Sequence, residues 1–399
     1  MSKKHIVLIT THRLVGMVGG AERVLCDMAN ALVKLDYNVS ILCCDKNEGL
    51  PSFYLDKNVS FINCFTRPPL FSRHAFANLR TFWLDDKTKY IAKKDIECKW
   101  KANAFASALK SLKNKIDIFI AYDFESTYII KDLLHLSTPI ITTYHCAPSS
   151  AISTGKYKKL NKAVDKGNVL HVLSTEFIQE CRPFIPTVPI VYIPNVAPNY
   201  ELASPLDNKN IICVSRYDPE VKRPQLLAQA FSILNKKFPD WKVEFWGRFD
   251  NHNTNKLRNY LKQQNLEKSF LLCGTTEDIS KKLERASIFV LPSKVEAFPL
   301  SAVEAMSMGL PVVGCNDCSS LCSLIHDQRN GLLSDPSPSN LANCLEKLIN
   351  DEALRHKLGK QGRKDSKQFS ATSVWSQWDM LIKNVLQNKP IQSSFHSSK

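Results

Sequence analysis

Strand-like and helix-like runs alternate along the whole chain, and the alternation begins again halfway. HIVLITT is followed by a helical period from about Ala21 to Leu35, then by NVSILCC and VSFINC. After a basic segment come IDIFIAY, a helix across Thr127 to Leu136, PIITTYH, VLHVLS, a short helix and PIVYIPN. Runs this short and this rich in β-branched residues are buried strands, and a helix between each pair returns the next strand parallel to the last. The pattern specifies a doubly wound α/β sheet. Residues 196 to 210, VAPNYELASPLDNKN, are polar, contain two prolines and have no period, so they read as a linker. Beyond them come NIICVSRY, a helix from Pro224 to Phe238, WKVEFWG, a helix from Asn253 to Gln264, SFLLCG, a helix from Ile279 to Ala286, and SIFVLP. A helix from Pro338 to Asn350 and further helices to about Gln387 close this half. Two α/β domains are expected, 1–198 and 199–388, their strand ends facing a shared cleft, with the last helices able to pack back on the first domain and a disordered tail over 389–399.

A chain of 399 residues exceeds one ordinary core, which agrees with two domains. No apolar run approaches the roughly 20 residues that cross a bilayer. Lys3 and Lys4 precede an apolar run, but it breaks at Thr10, Thr11, His12 and Arg13 without a small-residue cleavage site. It therefore reads as the first strand of a cytoplasmic protein rather than as a leader. Thirteen cysteines, an odd number, lie scattered, with Cys43, Cys213 and Cys273 in apolar runs. That usage suits small buried hydrophobes in a reducing compartment. Cys315, Cys318 and Cys322 have a spacing open to a metal or cluster, yet a closed site wants four ligands and only His326 lies near. Structural thiols are the simpler reading.

The formal charge of +15 and pI of about 9.2 imply an anionic partner: nucleic acid, an acidic membrane surface or a phosphorylated ligand. The segment from 87 to 115 holds nine lysines against Asp95 and Glu97. Within it Trp100, Ala104, Ala108, Leu109 and Leu112 recur at helical spacing, either as the packed stripe of a surface helix or as a membrane contact. No nucleic-acid reading motif or interleaved aromatic platform is present, so nucleic acid is not an expected partner.

Three stretches carry chemistry. In HRLVGMVGG, Gly19 and Gly20 precede a helix, whose amino end offers unpaired N–H groups to an anion; a tight turn is the alternative. In NIICVSRYDPEVKRP, Arg216 stands at the carboxyl end of a strand and Lys222 and Arg223 just before the next helix. A planar fork and a point charge there form either a diphosphate clamp or an ordinary basic loop. In SKVEAFPLSAVEAMSMGLPVV, Pro299 opens a helix that Gly309 stops, which puts Glu296 in a loop at a strand's carboxyl end and Glu304 about one and a half turns into the helix. Carboxylates in so apolar a run need a partner, and they accept hydrogen bonds from hydroxyls. Clamp and acceptors together describe a nucleoside diphosphate sugar.

EAFPLSAVEAMSMGLPVV resembles the Glu, seven residues, Glu motif of retaining glycosyltransferases of family four, the glycosyl transferases group one. GGAERVLCDMANAL, SRYDPEVKRP and FWGRFD resemble further motifs of that family, in order. The resemblance implies the GT-B fold of two Rossmann-like domains. It also implies transfer, with retention, from a nucleotide sugar (a UDP-sugar favoured) to a lipid-linked oligosaccharide, lipopolysaccharide or capsule precursor, an acceptor that the basic segment 87–115 would meet at an anionic membrane surface on the inner face of the plasma membrane. By it Glu296 would contact the sugar's hydroxyls, Glu304 the ribose, and Arg216 and Lys222 the leaving diphosphate. Gly19, Gly20 and the amides of Phe298 and Leu300 would approach phosphate or acceptor. His145, ending PIITTYH, matches the family's histidine near the donor sugar, while Gly247 of FWGRFD and Gly274 of CGTTEDI belong to the donor side. No carboxylate nucleophile is assignable. With fixed cations stabilising the diphosphate, neither a metal nor another cofactor is expected. Where relatives carry a glycine and an acidic residue, this chain has NDCSSLCSLIHD. Rival readings are a metal-dependent single-sheet transferase using YDFE (122 to 125), a non-catalytic nucleotide-sugar sensor, and a basic nucleic-acid-binding protein.

Overall fold

The structure is a computed structural model and describes residues 3–17, 19–64, 86–112, 115–148, 158–249 and 251–393. The chain divides into two compact units, one running to Pro194 and taking up the chain again from Val374, the other Asn195–Ser373. The boundary thus lies four residues before the expected one.

The first unit contains β1 (His5–Thr10), α1 (Gly20–Lys34), β2 (Asn38–Cys43), β3 (Val59–Asn63), α2 (Asp86–Ser111), β4 (Ile118–Ala121) and α3 (Phe124–Tyr128). It continues with β5 (Ile140–Thr143), α4 (Lys158–Val164), β6 (Val169–Val172), α5 (Glu176–Cys181) and β7 (Ile190–Tyr192). Its strands form one sheet in the order β3-β2-β1-β4-β5-β6-β7, parallel throughout. Ile6, Val7, Leu8 and Ile9 are fully buried, as a strand covered on both faces requires. On α1 the residues Leu25, Met28, Ala29 and Leu32 bury one stripe against that sheet.

The second unit contains β8 (Asn210–Val214), α6 (Pro224–Asn235), β9 (Lys242–Trp246), α7 (Asn251–Gln263), β10 (Phe270–Gly274), α8 (Ser280–Glu284) and β11 (Ile288–Leu291). It ends with α9 (Leu300–Ser307), β12 (Val312–Cys315), α10 (Ser319–Leu324), β13 (Gly331–Ser334), α11 (Pro338–Asn350) and α12 (Glu352–Ser366). The sheet order is β10-β9-β8-β11-β12-β13, again all parallel. Helix starts follow their chemistry: Ser337 caps α11 with Pro338 at its first position, and Asp351 accepts from the Leu354 amide at 2.8 Å to cap α12.

Several expectations are corrected. The helix placed at 127–136 starts at Phe124, because Asp123 caps it, and passes into a π-helical turn at Ile129–Leu133. The strand β13 and the short helices α4 and α10 were not anticipated; each is too brief to show a period. The linker is docked on the second unit: Ala197 and Leu206 lie in its core, and the Ala197 amide donates to Phe369 O at 2.9 Å. Among the described side chains of α2 the buried ones are Cys98, Ala102, Ala104 and Phe105, so the covered stripe there is rotated from the expected one and shares only Ala104 with it. The tail is ordered as far as Ser393, whose carbonyl accepts from the Tyr192 amide at 3.1 Å beside β7; residues 394–399 lie outside the described residues.

The final helix, α13 (Ala371–Leu386), belongs to the first unit from Val374 onward. Trp378 is 2% exposed and sits 4.6 Å from the His171 ring, and Asp379 accepts from the Tyr37 hydroxyl at 2.7 Å. Replacing Trp378 by alanine is expected to cost about 3–5 kcal/mol in urea unfolding of this unit, followed by circular dichroism. A loss below about 1 kcal/mol would show that α13 is not part of the first unit's core.

Candidate functional site

In both sheets the strand order reverses once, between β1 and β4 and between β8 and β11. In a parallel α/β sheet a reversal leaves a crevice at the carboxyl ends of the two strands, where ligands bind. The residues that follow those four strands are the ones with chemistry.

In the second unit, the loop after β8 carries Arg216 and Lys222, and the loop after β11 carries Ser293 and Glu296. Lys222 Nζ is 2.6 Å from Glu296 Oε1, with the two side chains 13% and 12% exposed. Ser293, fully buried, donates to the same carboxylate oxygen at 2.8 Å. The loop before α6 is wound by Asp218, whose side chain accepts from the Val221 amide at 2.9 Å and whose carbonyl accepts from the amides of Lys222 and Arg223. Arg223 takes left-handed backbone angles, φ 50°. That conformation costs a side chain about 1–2 kcal/mol, so something must hold it. Its guanidinium donates both ends to Asp317, at 2.9 and 2.6 Å.

Arg216 stands apart from this pair. Its side chain is 67% exposed and reaches Asp218 at 3.3 Å, a solvated contact of little energetic weight. Gly247 and Gly274 come together, the amide of the first donating to the carbonyl of the second at 2.7 Å. At φ 153°, a Cβ on residue 247 would run into the Ser215 carbonyl, so only glycine fits there. Glu304 is 7% exposed on α9. Phe298 packs edge-on to Phe369 at 5.5 Å, and the Leu300 amide already donates to Phe298 O at 2.9 Å.

In the first unit, a cavity of about 270 Å³ lies at the ends of β1 and β4, lined in part by His12, Arg13, Lys94, Asp123, Glu125 and His145. Asp123 is its organiser. It accepts from the Thr10 and Thr11 hydroxyls at 2.9 and 3.1 Å and from the Thr11 and Ser126 amides at 2.7 Å. Burial pushes its carboxyl up, but His12 and those two amides outweigh the burial and the net shift is downward. Glu125 pairs with Lys94. Both carboxylates of YDFE are thus committed to protein partners. Gly19 caps α1 without a side chain, but the Glu22 carboxylate folds into the space a residue-19 side chain would take, so this amino end already has an anion beside it.

His145 stacks on Tyr122 with ring centres 4.8 Å apart and planes 12° from parallel. Its Nε2 is enclosed and has no hydrogen-bond partner. Burial, then the neighbouring His171 and His12, push its pKa down to about 3 from 6.5. His171, which donates Nε2–H to Ile193 O at 2.7 Å, is lowered by burial to about 4. Both rings are neutral at physiological pH.

Sequence reasoning missed Ser293, Asp317 and Ser320, and it reached Asp123 only as a metal carboxylate of the rival single-sheet reading. Only Asp123 had a signal, its place one residue before a helix. Because the folded chain leaves His145 unprotonated down to about pH 3 while the unfolded chain protonates it near 6.5, stability must fall as pH falls through that window. A His145→Asn variant is expected to make the acid loss of stability shallower by about 1.4 kcal/mol per pH unit between about pH 5.5 and 4. Identical slopes in urea titrations of both proteins would refute the buried neutral ring.

Residues 200–365 match the family Glycosyl transferases group 1. The chain is 25% identical over 374 residues to a Campylobacter jejuni GalNAc-alpha-(1->4)-GalNAc-alpha-(1->3)-diNAcBac-PP-undecaprenol alpha-1,4-N-acetyl-D-galactosaminyltransferase, covering 92% of this chain and 96% of that one. Its fold is similar to that of sucrose-phosphate synthase from Thermosynechococcus elongatus (TM-score 0.77, 17% identity, 97% and 100% of the two chains). It is also similar to Anabaena HepE in complex with UDP and glucose (TM-score 0.69, 16% identity, 94% and 99%). With two parallel-sheet Rossmann-like units and a match to Glycosyl transferases group 1 over residues 200–365, the chain has the GT-B fold and is a glycosyltransferase.

Proposed function

We propose that this glycosyltransferase moves a sugar from a nucleoside diphosphate sugar, a UDP-sugar by preference, to a bacterial cell-surface glycan precursor, with retention at the anomeric carbon. The observation that carries the reading is the Lys222–Glu296 pair, 2.6 Å apart at the carboxyl ends of β8 and β11. A fixed ammonium there stabilises the charge that grows on the departing diphosphate, and a fixed carboxylate accepts hydrogen bonds from the sugar's hydroxyls. Arg216, exposed and paired with Asp218 alone among the described residues, can swing onto the diphosphate as a second cation. Glu304 takes the ribose, and Gly247 and Gly274 let the donor's nucleotide approach the backbone. These cations supply what a divalent metal would, so none is required. The names of the similar proteins support a UDP donor and an undecaprenol-diphosphate-linked or capsular acceptor.

A lipid-linked acceptor raises the question of the membrane. No helix among the described residues is long and apolar enough to cross one. On α2 the lysines are less available than their number implies: Lys94 pairs with Glu125, and Lys101, 12% exposed, pairs with Glu97 and donates to Thr11 O. Lys99 and Lys110 face outward. Contact with anionic lipid is accordingly proposed as weak and electrostatic, worth about 1 kcal/mol per exposed lysine. Partial pelleting with phosphatidylserine vesicles at low salt, abolished at high salt, is the expected result. No pelleting at low salt would remove the membrane from the proposal.

A thermal-shift panel of UDP-, GDP-, CDP- and ADP-sugars identifies the donor, because a ligand that binds only the folded chain raises its melting temperature. One class is expected to stabilise the protein. Lys222→Ala should then lower turnover of that donor about 10²–10³-fold. Glu296→Gln keeps the shape of the site and should lower turnover more than nucleotide binding, since it touches the sugar. A folded wild type that no nucleotide sugar stabilises would sink the reading.

A further inference from the structure

The segment 316–320, the loop before α10 with that helix's first two residues, where this chain departs from the motifs it otherwise resembles, is fastened to the second unit's site at two points. Arg223 donates Nη1–H and Nη2–H to the two oxygens of Asp317, at 2.9 and 2.6 Å. Ser320, 3% exposed, donates its hydroxyl to the backbone carbonyl of Glu296 at 2.9 Å. The first bond grips the residue next to Lys222, and the second grips the residue that Lys222 pairs with. One short segment thus ties down both the neighbour of Lys222 and the backbone of Glu296.

The electrostatics call for such a hold. Lys222 and Arg223 are adjacent cations, and Glu296 is a carboxylate within reach of that loop. An unpartnered Arg223 would compete with Lys222 for Glu296, because a guanidinium binds a carboxylate in two-point fashion. Asp317 takes that fork out of the competition. The residue it pairs with is also the one in left-handed backbone conformation next to Lys222.

We infer that Asp317 is a positioning residue for the donor site: through Arg223, and with Ser320 as a second anchor, it keeps Lys222 and Glu296 placed for a diphosphate and its sugar. The inference rests on the proposed reading of Lys222 and Glu296 as donor ligands. It makes Arg223 part of the scaffold and not a phosphate ligand, although it neighbours one.

The test is calorimetric titration of the full chain with a nucleoside diphosphate and the matching monophosphate, the base being whichever of UDP, GDP, CDP or ADP binds the wild type. Asp317→Asn is expected to weaken the diphosphate about tenfold and the monophosphate by less than about twofold, because only the former reaches the clamp. The charge exchange Arg223→Asp with Asp317→Arg should bring the diphosphate back to within about threefold of wild type, aspartate being at ease in left-handed backbone. Equal weakening of both nucleotides, an unchanged diphosphate affinity, or a folded exchange variant as weak as Asp317→Asn would each overturn the inference. Should Asp317→Asn fail to fold, Ser320→Ala decides by the same diphosphate-to-monophosphate ratio. A wild type that binds no nucleoside diphosphate overturns the clamp reading itself, and the brace with it.

Discussion

Everything chemical in this protein follows from one topological constraint. A sheet made only of parallel strands needs a crossover after each strand, and crossovers keep one hand. A sheet that grows outward from its first strand in both directions must therefore send helices to opposite faces, and the strand ends at the turning point stay uncovered. Polar groups that the core excludes are tolerated there. In the first unit these are Thr10, Thr11 and Asp123, and in the second Lys222, Ser293 and Glu296. The two sheets solve the same problem with different chemistry: one ends in a buried carboxylate dressed by hydroxyls and amides, the other in a largely enclosed ion pair.

That ion pair is costly to make and costly to break. Removing two charges from water is repaid only by close geometry and by hydrogen bonds to the remaining lone pairs, which Ser293 helps to supply. Left with one partner, the other charge stays enclosed, a situation worth about 3–5 kcal/mol against the fold. An anion arriving at Lys222 therefore has to share the ammonium with Glu296 rather than displace it. The hydroxyls of a sugar offer Glu296 replacement donors, so a ligand carrying both phosphate and sugar suits the pair better than phosphate alone.

The two parallel sheets were legible because buried parallel strands must be continuous apolar runs, and IVLI and IFVL have no other use; the order of the strands within them was not. Lys222 and Glu296 were legible for the opposite reason, as charges where the pattern demanded none. Asp317 and Ser320 were not: a short polar residue at a helix start is ordinary, and Arg223 meets Asp317 across 94 residues of sequence. The lysine-rich segment misled in part, since its count says nothing of Glu125, which takes up Lys94 from another element. The stripe on α2 was rotated because Phe105 and Cys98 fill the core better than Trp100 and Leu109, and a period alone does not say which of two overlapping faces is covered.

The first unit is assembled from two distant pieces of chain, with the second unit lying between them in sequence. Val374, Trp378, Leu381, Ile382 and Val385 of α13 are buried, and Trp378 covers a histidine whose neighbour is His145. During synthesis, then, the ribosome releases a complete second unit before the first can close its core. For the tens of seconds that translation of some 200 residues takes, His171 and the sheet edge beside it stand open to solvent or to a chaperone. The order of completion runs against the order of the sequence, and the enzyme's last helix is the part that finishes its first domain.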